Sequence, residues 1–291
     1  MDSDNELRED NKNELIISVK IENSDIGKEV YFLDNTKESY LENGGLKHHN
    51  HDNLPELNER NTKLFINDKE ERYKKFFIPE SKGIYKIKLS LDFKMTNCAY
   101  MFARCGNIIN IDFSSFNTQN VTNMEKMFLL CNGLTSIDVS SFDTRKVENM
   151  GQMFCRCLNL KKIDLSSFNT KKVSNMEQMF FMCKNLTKVD ISSFDTENTS
   201  NMEQMFGWCG ELIGIDLSLF NTSNVFKMGG MFYNCKKLTM LNLSSFVFLE
   251  YAETNDIFNQ CDNLKVIKIN RKFYDIIKKS CEGKSVYFME I

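Results

Sequence analysis

Between about residue 84 and residue 270 the apolar and polar positions recur every 26 residues. Phe102, Phe128, Phe154, Phe180, Phe206, Phe232 and Phe258 share one phase, as do Cys105, Cys131, Cys157, Cys183, Cys209, Cys235 and Cys261. Met101, Met127, Met153, Met179, Met205 and Met231 form a third column, which Ile257 completes. Three columns in phase over seven units define a repeat. Two periodicities alternate inside each unit. Val121, Met124, Met127, Phe128 and Cys131 fall at i, i+3, i+6, i+7 and i+10, the spacing of one face of a short helix. Further on, Ile137 and Val139 alternate with Asp138 and Ser140, as in a strand with one buried face. Strand centres fall at Ile87, Ile111, Ile137, Ile163, Val189, Ile215, Leu241 and Ile267. A lone unit cannot bury its apolar face, so the units must stack. The expected fold is an α/β solenoid of about seven strand–turn–helix units, with a parallel sheet on one side and helices on the other.

The unit Leu160-Lys-Lys-Ile-Asp-Leu-Ser-Ser-Phe-Asn-Thr-Lys-Lys-Val-Ser-Asn-Met-Glu-Gln-Met-Phe-Phe-Met-Cys183 resembles the BspA-type leucine-rich repeats. More narrowly, it is similar to the 26-residue surface protein repeat of mycoplasmas, other bacteria and some protists. The resemblance covers about residues 84–270. It implies a leucine-rich-repeat stack with an interaction role and, for many bacterial members, a place on the cell surface. It carries over no catalytic residue.

The expected organisation is a disordered tail (1–14), a β-rich N-terminal cap domain (15–83), the repeat (84–270) and a C-terminal cap (271–291). In the second segment, Leu15–Ile21 and Val30–Leu33 read as one hairpin, and Thr62–Ile66 with Tyr73–Ile78 as another, with a short helix near 54–60 between them. Arg271–Lys279 suits a helix and Ser285–Ile291 a last strand.

Composition adds exclusions. The net charge is −3, which offers nothing to nucleic acid. No apolar run reaches the length of a membrane span. Met1–Glu6 is acidic and has no apolar leader, so the expected location is cytoplasmic, with the cell surface as the alternative that the resemblance raises. Seven of the ten cysteines sit in one buried column and read as reduced core thiols, which fits a reducing compartment. His48, His49 and His51 form a short tract in a polar loop, too sparse for a structured metal site. No phosphate-binding Gly loop is present. The Ser and Asp residues recur alike in every unit, whereas catalysis needs one place that differs. No enzyme activity and no cofactor are expected.

Two sets of residues are candidates for binding a partner. Asp112, Asp138, Asp164, Asp190 and Asp216 form an outward column on the sheet, flanked by Lys162 and Lys188. One reading makes the column an acidic groove for a basic segment or a divalent cation. The other makes each Asp an acceptor for nearby Ser or backbone donors, copied with the repeat. The second set breaks the copy: Phe181, Met182, Trp208 and Tyr233 follow the ladder Phe in neighbouring units, and aromatic and Met side chains are favoured at interface cores. The expected function is a non-catalytic protein–protein interaction module, inside the cell or, alternatively, as a surface adhesion protein.

Overall fold

The computed structural model describes residues 13–36, 38–42, 45–49, 52–281, 283 and 285–290. Most of the expected tail therefore lies outside the described residues. The strands are β1 (Asn13–Ile21), β2 (Val30–Tyr31), β3 (Glu38–Glu42), β4 (Gly45–His49), β5 (Thr62–Ile66), β6 (Lys69–Glu71), β7 (Phe76–Phe77), β8 (Gly83–Leu91), β9 (Ile108–Asp112), β10 (Lys162–Asp164), β11 (Lys188–Asp190), β12 (Met240–Leu243) and β13 (Val266–Ile269). A helix, α1 (Tyr274–Ser280), and a last strand, β14 (Tyr287–Glu290), follow.

The N-terminal sheet has the order β6-β5-β8-β1-β9. β1 runs antiparallel between β8 and β9, with Leu15 opposite Leu89 and Ile17 opposite both Ile87 and Ile111. All of these apolar side chains are buried. The first expected hairpin does not form, because β1 finds its partners in β8 and β9 while β2 pairs with β7. The second is tighter than expected. β5 turns directly into β6 through Asn67 and Asp68, whose φ of 49° and 64° suit a two-residue hairpin turn. Residues 54–60 form turns and no helix.

The α/β solenoid is corrected by the structure. The chain is mostly sheet and turn, and among the described residues α1 is the one α-helix. The stretch expected as a helix in each unit is a run of turns, for a reason that lies in its N–H groups. A helix would send them to the carbonyl four residues back. Here the N–H groups of Met124, Lys126, Phe128 and Leu130 donate to Asn149, Gly151, Met153 and Cys155 of the next unit, at 2.8–2.9 Å. The N–H groups between them close tight turns: Met127 to Met124, Leu129 to Lys126 and Cys131 to Phe128. Lys126 and Leu130 have φ of 55° and 61°, a left-handed conformation that no right-handed helix contains. The expected strands survive at six of the eight centres, while Ile137 and Ile215 lie outside any strand. β10 pairs parallel with β11, and β12, β13 and β14 form a parallel sheet of three.

The apolar columns themselves stack. Successive rings from Phe102 to Phe258 have centroids 5.2–6.0 Å apart and lie within 13° of parallel. Phe142 on Phe168, Phe194 on Phe220 and Phe220 on Phe246 repeat this at 6.3–6.4 Å. Polar side chains close the gaps between units. Cys131 donates its thiol to the Phe102 carbonyl at 3.0 Å, and Cys157, Cys183, Cys209, Cys235 and Cys261 repeat that bond one unit on each time. All ten cysteine side chains are buried. Asn97, Asn123, Asn149, Asn175 and Asn201 form a ladder of parallel bridges, in which the Asn175 amide donates to Asn149 at 3.2 Å.

Candidate functional site

In β9 to β13 the side chains of Ile111, Ile163, Val189, Leu241 and Ile267 point inward, and their even-numbered neighbours line an outward face. On that face each Asp performs a local task first. The Asp112 carboxylate accepts the N–H of Ser114 at 2.9 Å, Asp138 that of Ser140 at 3.0 Å, Asp164 that of Ser166 at 2.9 Å, Asp190 that of Ser192 at 3.1 Å and Asp216 that of Ser218 at 2.9 Å. This closes an Asx turn, which for Asp112, Asp164 and Asp190 falls at the end of β9, β10 and β11. Asn242 does the same for Ser244 at 3.2 Å, so the turn needs an oxygen acceptor and no charge. The Ser114 and Ser218 N–H groups are the main cause that holds Asp112 and Asp216 below the usual carboxylate range. For Asp138 and Asp164 the hydroxyls of Ser140 and Ser166 lead, with the same N–H groups next.

One oxygen of each carboxylate remains for other work. Asp138, Asp164 and Asp190 line a groove of about 420 Å³ with Ser136, Ser140, Ser166, Ser167, Lys162 and Lys188. Asp112 and Asp138 share a neighbouring recess of about 290 Å³, and Asp216 lines neither. The parallel register sets Lys162 beside Lys188 and Asp164 beside Asp190. The face is therefore two like-charged rows of opposite sign, and the lysines that flank the column are part of it.

The aromatic set sits elsewhere, on the run of turns. Phe181 lies over Gly207, so that a methyl added at Gly207 would stand 3.1 Å from its ring. Trp208 meets Tyr233 with centroids 5.9 Å apart. Phe181, Met182, Trp208 and Tyr233 are all half-buried. Met182 and Trp208 have φ of 59° and 63° and donate their N–H groups to Gly207 and Tyr233. Their column is the second left-handed position of each turn run, also taken by Leu130, Arg156 and Asn234. No hydrogen bond, ring contact or groove joins this set to the Asp column among the described residues.

Several outward residues escaped the reading of the sequence. Ile213, Leu219, Met240, Tyr287 and Met289 are 45–70% exposed. For Ile213, Leu219 and Met240 the signal is a break in the copy: Leu219 stands where other units place Ser115, Ser141, Ser167, Ser193 and Ser245, and Met240 follows Lys162, Lys188 and Gly214 in its column. His48 and His49 lie on β4, and His51 lies outside the described residues. No group of three or more metal-ligating side chains occurs among the described residues. No helix there is long and apolar enough to cross a membrane.

Stacked units of one 26-residue motif, joined by side-chain and backbone ladders, define a repeat protein. The model of the Mycoplasma protein of unknown function family, DUF285, matches residues 86–163 and 157–271. The chain belongs to this family. It is also similar to a leucine-rich repeat protein from Bacteroides ovatus ATCC 8483, known from a crystal structure, at 21% identity and a TM-score of 0.37. That match covers 66% of this chain and 50% of the other, so the chain spans about half the length of that structure. No curated protein matches the chain.

Proposed function

We propose that this chain is a non-catalytic protein-binding module of the BspA type, which recognises its partner with the outward face of its strands. The observation that supports this reading is the groove over Asp138, Asp164, Asp190, Lys162 and Lys188. Lys162, Lys188, Asp138 and Asp164 are exposed, with Asp190 half-buried, and these charges add nothing to the apolar core. A preordered surface of this kind loses little entropy on binding, and the two rows of opposite sign favour a partner with matching rows. An intracellular location is part of the proposal. Ten buried thiols, six of them spent as hydrogen-bond donors to carbonyls one unit away, suit a reducing compartment. The resemblance to surface repeats supports the alternative of an adhesion protein.

The test is affinity capture from an extract of the native cell, with the wild-type chain beside a Lys162→Glu/Lys188→Glu variant. Both substitutions are at exposed positions, so the melting temperature should hold. The proteins retained by the wild type should be lost from the variant. Identical retention by both would refute the reading.

A further inference from the structure

The outward face changes character along the stack. The column that carries Ser136, Lys162 and Lys188 becomes Gly214, then Met240, Val266 and Tyr287. The Asp column becomes Asn242, Lys268 and Met289. Tyr287 is 66% exposed, Met240 58% and Met289 45%. Tyr287 and Met289 stand on β14, the open edge of a sheet. β14 pairs parallel with β13 on one side, and among the described residues no strand pairs with its other side.

Exposed edges are normally blunted by charge. The opposite end of the molecule follows that rule, since the edge strand β6 reads Lys69-Glu70-Glu71. β14 does not. It reads Tyr287-Phe288-Met289-Glu290, and its one charge is drawn back to Arg271 at 3.7 Å. The charge around it is positive: residues 265–290 carry seven Lys and Arg against three Asp and Glu. Lys265, Arg271, Lys278 and Lys279 are exposed.

We infer that β14 is a docking edge for an extended acidic peptide segment of a partner protein, which adds as a further strand and sets apolar side chains beside Tyr287 and Met289. The inference rests on the protein-binding reading above and names the partner's chemistry. Strand addition supplies main-chain hydrogen bonds, and alternate side chains supply the choice of sequence. A segment with apolar residues at every second position and Glu or Asp between them meets both the apolar row and the surrounding cations. A second copy of this chain fits worse, because pairing β14 with β14 brings together two ends that each carry a net charge of +4.

The experiment measures fluorescence anisotropy of an acetylated, amidated octapeptide of alternating Glu and Val on the full chain. Controls are the same peptide with Lys for Glu and with Pro for Val. Protein variants are Met289→Glu and Tyr287→Glu, both at exposed positions. The Glu–Val peptide should bind, and both control peptides should fail. Each variant should weaken binding by about tenfold or more while its melting temperature holds. No binding of the Glu–Val peptide, equal binding of the Pro peptide, or unchanged binding to both variants overturns the inference. A concentration-dependent dimer that Met289→Glu abolishes also overturns it, because the edge then belongs to a second copy. If captured proteins depend on Lys162 and Lys188 while the peptide does not bind, the protein-binding reading stands and only this partner class falls. If the peptide binds and capture does not depend on those lysines, β14 keeps its ligand and the groove loses its role.

Discussion

The threonine that follows each strand turn ties two units together, and its hydroxyl can be tested alone. Thr170 is fully buried. Its Oγ1 accepts the Asp195 N–H at 2.9 Å and donates to the Asp195 carbonyl at 2.8 Å. Thr170→Val keeps the shape and removes both bonds. Each net hydrogen bond contributes about 1 kcal/mol, and a buried group left unpaired costs about 1–3 kcal/mol. Asp195 is half-buried, so water recovers part of the loss, and the net cost should be about 2 kcal/mol. Thr170→Ser keeps the hydroxyl and loses a methyl, which costs about 1 kcal/mol. Urea unfolding followed by circular dichroism should therefore order the proteins as wild type, Ser, Val. The midpoint should move while the slope is kept, the sign of a change in stability alone. Thr222 makes the same two bonds to Val247, at 2.8 and 2.7 Å, and Thr222→Val should cost as much. A Val variant as stable as the Ser variant would show that the hydroxyl does not bridge the units.

Two further outcomes concern titrating groups. The Asp112, Asp138, Asp164 and Asp216 carboxyls lie below the ordinary range because Ser N–H and hydroxyl groups donate to them. A group depressed on folding stabilises above its unfolded pKa, about 3.9 for Asp, and the contribution disappears as pH falls through the lower folded value. The urea midpoint should drop between pH 5 and pH 2. Replacing all four with Asn, which Asn242 shows to be compatible with the turn, should flatten that drop; an unchanged slope would place the acid sensitivity elsewhere. Burial pushes the Cys155 thiol up to about 11 and Cys157 to about 12. Iodoacetamide at pH 8 should leave the folded chain unmodified and alkylate all ten cysteines in urea. Rapid labelling of the folded protein would contradict the buried ladder.

The columns of Phe, Met and Cys were legible because a 26-residue period is visible in one dimension, and their stacking follows from it. The backbone between them was not. Apolar positions at i, i+3 and i+7 mark a helix only when each N–H bonds within the segment. A run of turns that advances every four residues gives the same spacing while sending alternate N–H groups to the next unit, as Met124 and Lys126 do. The left-handed residues there include Lys126, Gln152, Gln178 and Gln204 at the first position and Leu130, Met182 and Trp208 at the second, with Gly at position 230 alone, so the usual glycine signal was missing. The N-terminal sheet was misread for a different reason. β1 and its partner β8 lie 70 residues apart at Ile17 and Ile87, and alternation in a strand says which face is buried without saying which strand lies beside it.

Candidate sites divide along the same line. A column that repeats has a backbone group to satisfy in every unit: Asp serves the Ser N–H, Thr the residue after the next turn, Cys the Phe carbonyl, and Asn the N–H two residues further on. Such side chains have only their remaining valences left for a partner, and those are alike from unit to unit. Specific recognition needs unlike neighbours, which the stack has where Lys162 and Lys188 enter the outward face, where Trp208 enters the turn run, and where Met240 follows Gly214 in the lysine column. Tyr287 and Met289 lie outside the repeat altogether, so no broken column could mark them. They join the face only because β14 continues the parallel register of β12 and β13, and that register is a property of the folded chain.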